Sequence, residues 1–430
     1  MKCSFLSKLS SFFFQNTSFK QTVLKNSFWL LFSEFFAKIF TFLLGIWISQ
    51  KFGDSWLGEF NWIISFCAFF VAIVDFWLGN LIFREISKHP EKSEKYFMNG
   101  SIIKLWLTLL VTVLILILGK FYASIHESET LLFLFLFHSI LVNFAEFLRV
   151  FFRPVEKMEK EAFLKILSWF SLVGFTIFFL SISQSLFAIF LGYLTSSIVT
   201  VIFSFFYVKK HFQFKKFERD LPFIKETLKL SIPFFLGTIS AYFYGDMNIV
   251  LLEHFTDKTT VAYFSTPYKL ITYVYLLFNV VAISFFKKFV EVRNDKLQFF
   301  SRVKKAWLLH LGISIPFVLF FFFGGKWILS FYGTNGEFLS SYSYLLILLR
   351  ILPIKALSYL FWNLITALSK EYTRLYIQIF IALLALGLNF LFVPQYGIRA
   401  SCFILLLSEI LLLGFYGFFA RKYMKKLPVR

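Results

Sequence analysis

Polar residues are scarce over most of this chain and cluster where they occur, leaving twelve apolar stretches between residues 28 and 420. A helix of about 20 apolar residues is enough to cross a hydrocarbon core of about 30 Å. The pattern predicts spans over residues 28–50, 60–83, 101–119, 131–152, 163–181, 186–207, 231–253, 268–286, 306–325, 341–363, 375–393 and 399–420. Most of them show no polar face at helical spacing, which argues against a soluble protein with buried helices. Lipid admits only helices or closed barrels as spanning structures, and runs this long and unbroken exclude barrel strands. The expected fold class is an all-α polytopic membrane protein.

The longest basic connection, residues 208–230, falls after six predicted spans and before six more, which suggests a duplicated plan. After the first span, Phe52-Gly53-Asp54 precedes Gly58-Glu59-Phe60. After the seventh, Phe255-Thr256-Asp257 precedes Ala262-Tyr263-Phe264, on the same plan with one residue inserted. The predicted organisation is an N-terminal segment over 1–27, a six-helix bundle over 28–207, a basic linker over 208–230, a second six-helix bundle over 231–420 and a basic tail over 421–430. The first segment is a candidate interfacial amphipathic helix. Six crossings per half is an even number, so the bundles would be related by a pseudo-two-fold axis along the membrane normal. Transporters of that design hold cargo between the halves and rock to expose it to alternate sides. The largest piece outside the spans is about two dozen residues, too small for an independent core.

Composition agrees with a membrane chain: 58% of residues are hydrophobic, 16% are charged and the mean hydropathy is +0.73. The 67 Phe are read as codon usage and lipid-facing surface rather than as a binding site. A net charge of +20 raises the question of nucleic acid, and its placement answers it. Of the 44 Lys and Arg, 32 fall in the two termini and the even-numbered connections, against five in or at the edge of the odd-numbered ones, Arg399 included. Positive charge is retained on the cytoplasmic side, so both termini are expected in the cytoplasm, and no nucleic-acid partner is expected. Anionic membrane lipids are the expected partners of the basic clusters. Residues 1–27 lack the pattern of a secretory signal. Cys3, Cys67 and Cys402 offer neither a disulfide framework nor metal spacing, and no metal or cofactor is expected. No Walker sequence, zinc-protease pair or nucleophile elbow occurs, so an ATP-driven pump or an enzyme is unsupported and no catalytic residue is assigned.

A charge at the centre of a membrane helix costs about 2.5–3.5 kcal/mol on insertion scales, which makes each one a functional candidate. Glu34 and Lys38 lie four apart in the first span, in the favourable acid-then-base order. Asp75 lies in the second span, Glu146 and Arg149 in the fourth, Asp246 in the seventh, Arg350 and Lys355 in the tenth and Glu409 in the twelfth. Arg149 and Lys165 are read as residues that snorkel to the interface, with Glu146 beside Arg149, and Lys269 as a boundary residue. Lys38 and Arg350 are too deep for that and line either a cargo path or a structural ion pair. Asp75, Asp246 and Glu409 divide between cation or proton coupling and structural pairing. Pro353 follows Arg350 and is expected to kink or loosen the helix there, as Pro233 and Pro316 would in theirs.

Several segments resemble the polysaccharide-repeat-unit flippases of the Wzx type, members of the MOP superfamily that includes the MATE efflux pumps and the lipid II flippase. They are KFGDSWLGEFNW, VDFWLGNLIFREISK, GDMNIVLLEHFTDKTTVAYFSTPYKLI, GGKWILSFYGTNGEFLSSYSYLLILL and LNFLFVPQYGIRASCFILLLSE. Their order along the chain covers both halves; Trp77 and Arg399 stand where the family pattern usually has glycine. The resemblance implies a MATE-like fold and an oligosaccharide linked by pyrophosphate to a polyprenol, moved from the cytoplasmic to the periplasmic leaflet. It implies drive by an H+ or Na+ gradient, a place in O-antigen or other surface polysaccharide synthesis, and a polysaccharide polymerase with its chain-length machinery as partners. Lys38, Arg350 and Lys355 are then the candidate contacts to the pyrophosphate, since cations pair with phosphate oxygens and guanidinium does so bidentately. Glu34, Asp75, Asp246 and Glu409 are the candidates for ion coupling or gating. Tyr242, Tyr244, Asn248, Asn363 and Asn389 are candidates for the sugars. Two other readings stay open: a MATE-like cation-coupled efflux pump, which would call for an acidic cavity, and a membrane-embedded polymerase or ligase, which usually carries a large outer loop.

Overall fold

The computed structural model describes residues 19–118, 128–212, 219–292, 295–425 and 427. Among the described residues there is no strand, and twelve helical runs are long and apolar enough to cross a membrane. The protein is an all-α, multi-pass membrane protein. Its α-helices are α1 (Phe19–Phe52), α2 (Asp54–Asp75), α3 (Leu78–Lys88), α4 (Ser93–Leu118), α5 (Glu129–Arg149), α6 (Met158–Ile182), α7 (Leu186–His211), α8 (Leu221–Tyr244), α9 (Met247–Phe255), α10 (Lys258–Glu291), α11 (Lys296–Leu329), α12 (Tyr342–Leu349), α13 (Ile351–Ala367), α14 (Glu371–Tyr396) and α15 (Ile398–Lys425). The first helix starts before residue 28, so residues 19–27 are helical and continuous with the first crossing, whose apolar run is Leu31–Phe52. The remainder of the proposed interfacial helix, residues 1–18, lies outside the described residues.

Helix starts follow local chemistry. Ser185, Asp257 and Asp295 each cap a helix by accepting the backbone N–H three residues on, at 3.2, 2.8 and 3.0 Å. Three crossings are broken, and each break has its own cause. Between α2 and α3 the chain passes through Phe76 and Trp77 in the left-handed region (φ 46° and 58°). That conformation costs a non-glycine residue about 1–2 kcal/mol, offset by the burial of Leu78, Leu81 and Ile82 just beyond it. Between α8 and α9, Gly245 closes the first helix by donating to the carbonyls of Ala241 and Tyr242. The freed carbonyls of Tyr244 and Gly245 accept the Asn248 side-chain amide at 3.2 and 2.8 Å. Between α12 and α13 the break falls at Arg350, because Pro353 has no N–H to offer the carbonyl four residues earlier. Pro233, Pro316, Pro267 and Pro394, by contrast, lie inside continuous helices.

Two compact units are present, Met1–Leu43 with Cys67–Ile232, and Leu44–Phe66 with Pro233–Arg430. In the first, α3 lays Leu78, Ile82 and Ile86 against Phe147, Phe151 and Phe152 at the end of α5. Gly192 of α7 presses on Thr176 of α6 so closely that an added Cβ would lie 2.7 Å from its Cα. Small residues at such contacts let membrane helices approach and gain dispersion energy.

The second unit contains the turn between α1 and α2. Gly58 sits where a Cβ would come within 1.6 Å of the Lys258 carbonyl oxygen. Around that contact Tyr263 donates its hydroxyl to Asp54 at 2.7 Å, Lys258 pairs with Glu59 at 3.3 Å and Asn61 donates to Ser265 at 2.7 Å. The two related segments noted in the sequence, one after each half's first span, are thus packed directly on each other.

Candidate functional site

A buried polar cluster of the second unit is built from four elements. Lys355 stands on α13 one turn beyond the Arg350 break, and its ammonium pairs with Glu409 of α15 at 2.5 Å. Tyr244 from α8, Tyr275 from α10 and Tyr359 from α13 surround that ammonium, with ring centroids 5.5, 5.4 and 5.7 Å away. Such faces attract a cation through the ring quadrupole, and more strongly where water is excluded. Glu409 is 3% exposed, and its second oxygen, Oε2, has no hydrogen-bond partner among the described residues.

Arg374 and Gln378 of α14 continue the polar seam. Arg374 is buried, stacks on Trp362 at 4.7 Å and Phe234 at 5.8 Å, and donates to Thr366 Oγ1 at 3.2 Å. Its position in a short connection makes it one more topology-setting charge by sequence, whereas the aromatic sandwich gives it a structural place inside the unit. Asp246, at the α8–α9 break, lies close to the hydroxyl of Tyr268.

The first unit holds a second charged group. Lys165 pairs with Glu34 at 2.7 Å and with Glu161 at 3.6 Å, while Arg153 grips Glu161 through two bonds of 2.8 and 2.7 Å. Bidentate guanidinium–carboxylate pairs of this kind are the strong ones. Glu34 therefore takes its close partner from α6 and not from Lys38, whose half-buried charge acts on it more weakly. Arg149 is buried and donates to Ser168 at 3.0 Å. The expectation that Arg149 and Lys165 snorkel to an interface is thereby corrected: both are anchored inward, Lys165 by the carboxylates of Glu34 and Glu161 and Arg149 by Ser168 with the Glu146 carboxylate nearby. Lys269, expected as a boundary residue, is likewise held by Asn61 and lies 5.7 Å from the Phe60 ring. At the α2–α3 break, Asp75 accepts Lys104 and Asn143, each at 3.3 Å. Lys104, 1% exposed, also donates to Asn143.

Lys38 belongs to the first unit and Arg350 to the second. Arg350 is exposed, and among the described residues its guanidinium has neither an ion pair nor a hydrogen bond. Three further sequence candidates bond within the protein, although Asn389 Oδ1 is left without a hydrogen-bond partner among the described residues. Tyr242 donates to the Ser65 carbonyl at 2.9 Å, Asn363 to Tyr359 at 2.9 Å and Asn389 to Ala385 at 2.8 Å, the last two within their own helices. Sequence reasoning overlooked Lys104, Glu161, Arg374, Gln378 and the cage tyrosines Tyr275 and Tyr359, and assigned Tyr244 to the sugars. Lys104 inside an apolar run was a usable signal; the tyrosines, among 19 in the chain, were not. No group of three or more His, Cys, Asp or Glu able to hold a metal ion occurs among the described residues.

A sequence model of the polysaccharide biosynthesis protein family matches residues 23–286. No curated protein matches the chain in sequence at a significant level. Among solved structures, the lipid II flippase MurJ in an inward closed conformation is similar with a TM-score of 0.73 at 17% identity, over 92% of this chain and 89% of its own. An inward-facing multidrug resistance transporter of the MATE family, MOP superfamily, gives a TM-score of 0.72 at 15% identity, over 89% of this chain and 93% of its own. An outward-facing multidrug resistance transporter of the MATE family gives 0.65 at 15% identity, over 95% and 96%.

Proposed function

Since the chain belongs to the polysaccharide biosynthesis protein family and has the fold of MOP-superfamily transporters, we propose that it is a flippase for polyprenyl-pyrophosphate-linked oligosaccharide repeat units. It moves them across the bacterial inner membrane by ion-coupled alternating access, for O-antigen or another surface polysaccharide. That a lipid II flippase shares the fold supports a lipid-linked cargo. In this reading both termini are cytoplasmic, the cargo is loaded on that side, and the released repeat units pass to a polymerase and its chain-length machinery.

One observation carries the reading: the bare guanidinium of Arg350, exposed at the break of a crossing helix. An uncompensated charge at the centre of a membrane helix costs about 2.5–3.5 kcal/mol, so this one calls for an external anion. A pyrophosphate diester supplies it, and guanidinium matches its oxygens bidentately. Lys38, half-buried, is the second candidate contact; Lys355 is already neutralised by Glu409, which makes it a poorer phosphate ligand than its depth suggested. Asp75 and Asp246, each beside a helix break, and Glu34 are the acids proposed for coupling.

The test is direct. A deletion strain is expected to accumulate unpolymerised, carrier-linked repeat unit on the cytoplasmic face, and the Arg350→Ala variant, although inserted normally, is expected to cut transport at least about tenfold, the value of one lost charge-assisted bond. Normal surface polysaccharide in the deletion strain, or altered drug susceptibility as its only phenotype, would instead support the efflux reading.

A further inference from the structure

Three tyrosine rings and one carboxylate, set around a point largely shielded from water, form a recognition set for a small cation, a primary or substituted ammonium above all. The second unit contains that set, and the cation in it is one of its own side chains. Lys355 Nζ lies 5.4–5.7 Å from the rings of Tyr244, Tyr275 and Tyr359 and 2.5 Å from Glu409 Oε1. The walls come from α8, α10, α13 and α15, so the cage depends on the tertiary fold and on no single sequence segment. Its carboxylate is buried and half-satisfied: Glu409 Oε2 has no partner among the described residues, although both oxygens of an ionised carboxylate can accept.

We propose that Lys355 is a tethered cation. It occupies the aromatic–carboxylate cage in place of an exchangeable ion, so the intact site needs no bound sodium, potassium or proton donor from solution. Removing the side chain converts the cage into a binding site for a small monovalent cation, with alkylammonium preferred over sodium. Two physical points set that preference. Truncation leaves Glu409 as a buried, unpaired anion, which is strongly unfavourable until some cation returns. An alkylammonium keeps its N–H donors for both carboxylate oxygens and presents a weakly hydrated surface to the rings, whereas sodium must be stripped of water to enter. The inference rests on the second unit alone and does not depend on which cargo is carried.

The experiment uses the full-length chain in lipid nanodiscs, as wild type, Lys355→Ala, Glu409→Gln and the Lys355→Ala/Glu409→Gln pair. Thermal unfolding is followed while sodium, potassium or methylammonium chloride is titrated against N-methylglucamine chloride at constant ionic strength. The wild-type midpoint is expected to show no cation dependence that Glu409→Gln removes, so any sodium response from a coupling site elsewhere is left unchanged by that substitution. The Lys355→Ala midpoint is expected to fall by several degrees and to recover saturably with millimolar methylammonium, with sodium at least about tenfold weaker. The double variant is expected to show no such recovery with any cation, since the carboxylate that needs one is gone. A saturable sodium or potassium shift in wild type that Glu409→Gln abolishes would overturn the proposal, because the cage would then take an ion with Lys355 in place. A folded Lys355→Ala variant that responds to no cation would overturn it equally. If Lys355→Ala is recovered folded only when methylammonium is present throughout purification, the proposal stands; equal instability with and without it counts against the proposal.

Discussion

Gly58 is the position where one atom decides most. Any side chain there must displace the Lys258 carbonyl, since a Cβ would lie 1.6 Å from it and that oxygen belongs to backbone. Gly58→Ala is accordingly expected to destabilise the protein by about 1–3 kcal/mol or more, read as a lowered unfolding midpoint in detergent. Gly174 is the control, exposed with nothing within 4 Å of its Cβ position, and Gly174→Ala is expected to be neutral or slightly stabilising. Sequence identified Gly58 as part of a recognisable motif without revealing what it touches. The same holds for the charges. Depth in a span correctly marked Glu34, Asp75, Lys355 and Glu409 as residues needing compensation. Their partners were legible only where they lay nearby in the chain, and the real ones, Lys165, Lys104 and the Lys355–Glu409 match, lie 131, 29 and 54 residues apart.

At the scale of elements, the breaks and caps carry the testable content. Pro353→Ala would restore an N–H at the α12–α13 break and allow the helix to run through Arg350. The expected result is unchanged or slightly higher thermal stability with reduced transport, because the guanidinium would be re-aimed; transport at the wild-type rate would show that the break is packing alone. The start of α8 offers a pH test. Asp220 caps that helix, accepting the Phe223 N–H at 2.9 Å, and pairs with Lys95 of α4 at 2.5 Å. The Lys95 ammonium and the Phe223 N–H together hold its carboxyl below the usual carboxylate range. A depressed folded-state value means that its contribution is complete above the unfolded value of about 3.9 and is lost as pH falls through the folded one. The stability gap between wild type and Asp220→Asn should therefore be constant from pH 5 to 8 and close below about pH 4; a gap that widens with acid would contradict the assignment. Helix type and approximate extent were readable from hydropathy, and the break at Arg350 was signalled by Pro353. The breaks at Phe76–Trp77 and Gly245–Asp246 were not, because neither contains a proline and left-handed aromatic residues follow from packing.

For the whole molecule, twelve runs and the distribution of basic residues lead to one experimental statement: reporters fused to either terminus should read as cytoplasmic. A periplasmic reading at one end alone would require an odd number of crossings, and at both ends an inverted protein. The duplicated plan of the sequence takes on a physical meaning here. The Asp54 and Asp257 segments, some two hundred residues apart, meet inside one compact unit through Tyr263, Lys258 and Gly58. The adjoining ends of the first two crossings, Leu44–Phe66, consequently pack with the C-terminal half of the chain.

Sequence alone determined the class of protein, its membrane crossings and which charged residues had to be explained, because transfer of apolar surface and of charge out of water is a local property of each segment. It also carried the family resemblance through motifs that survive as short strings. Only the tertiary structure decided which charge meets which, that Lys355 is enclosed by tyrosines while Arg350 is left bare, and that Arg149 and Lys165 turn inward. Those outcomes depend on which helices are neighbours, and in lipid that is set by close packing and paired polar groups spread across the whole chain, not by the hydropathy of any one stretch.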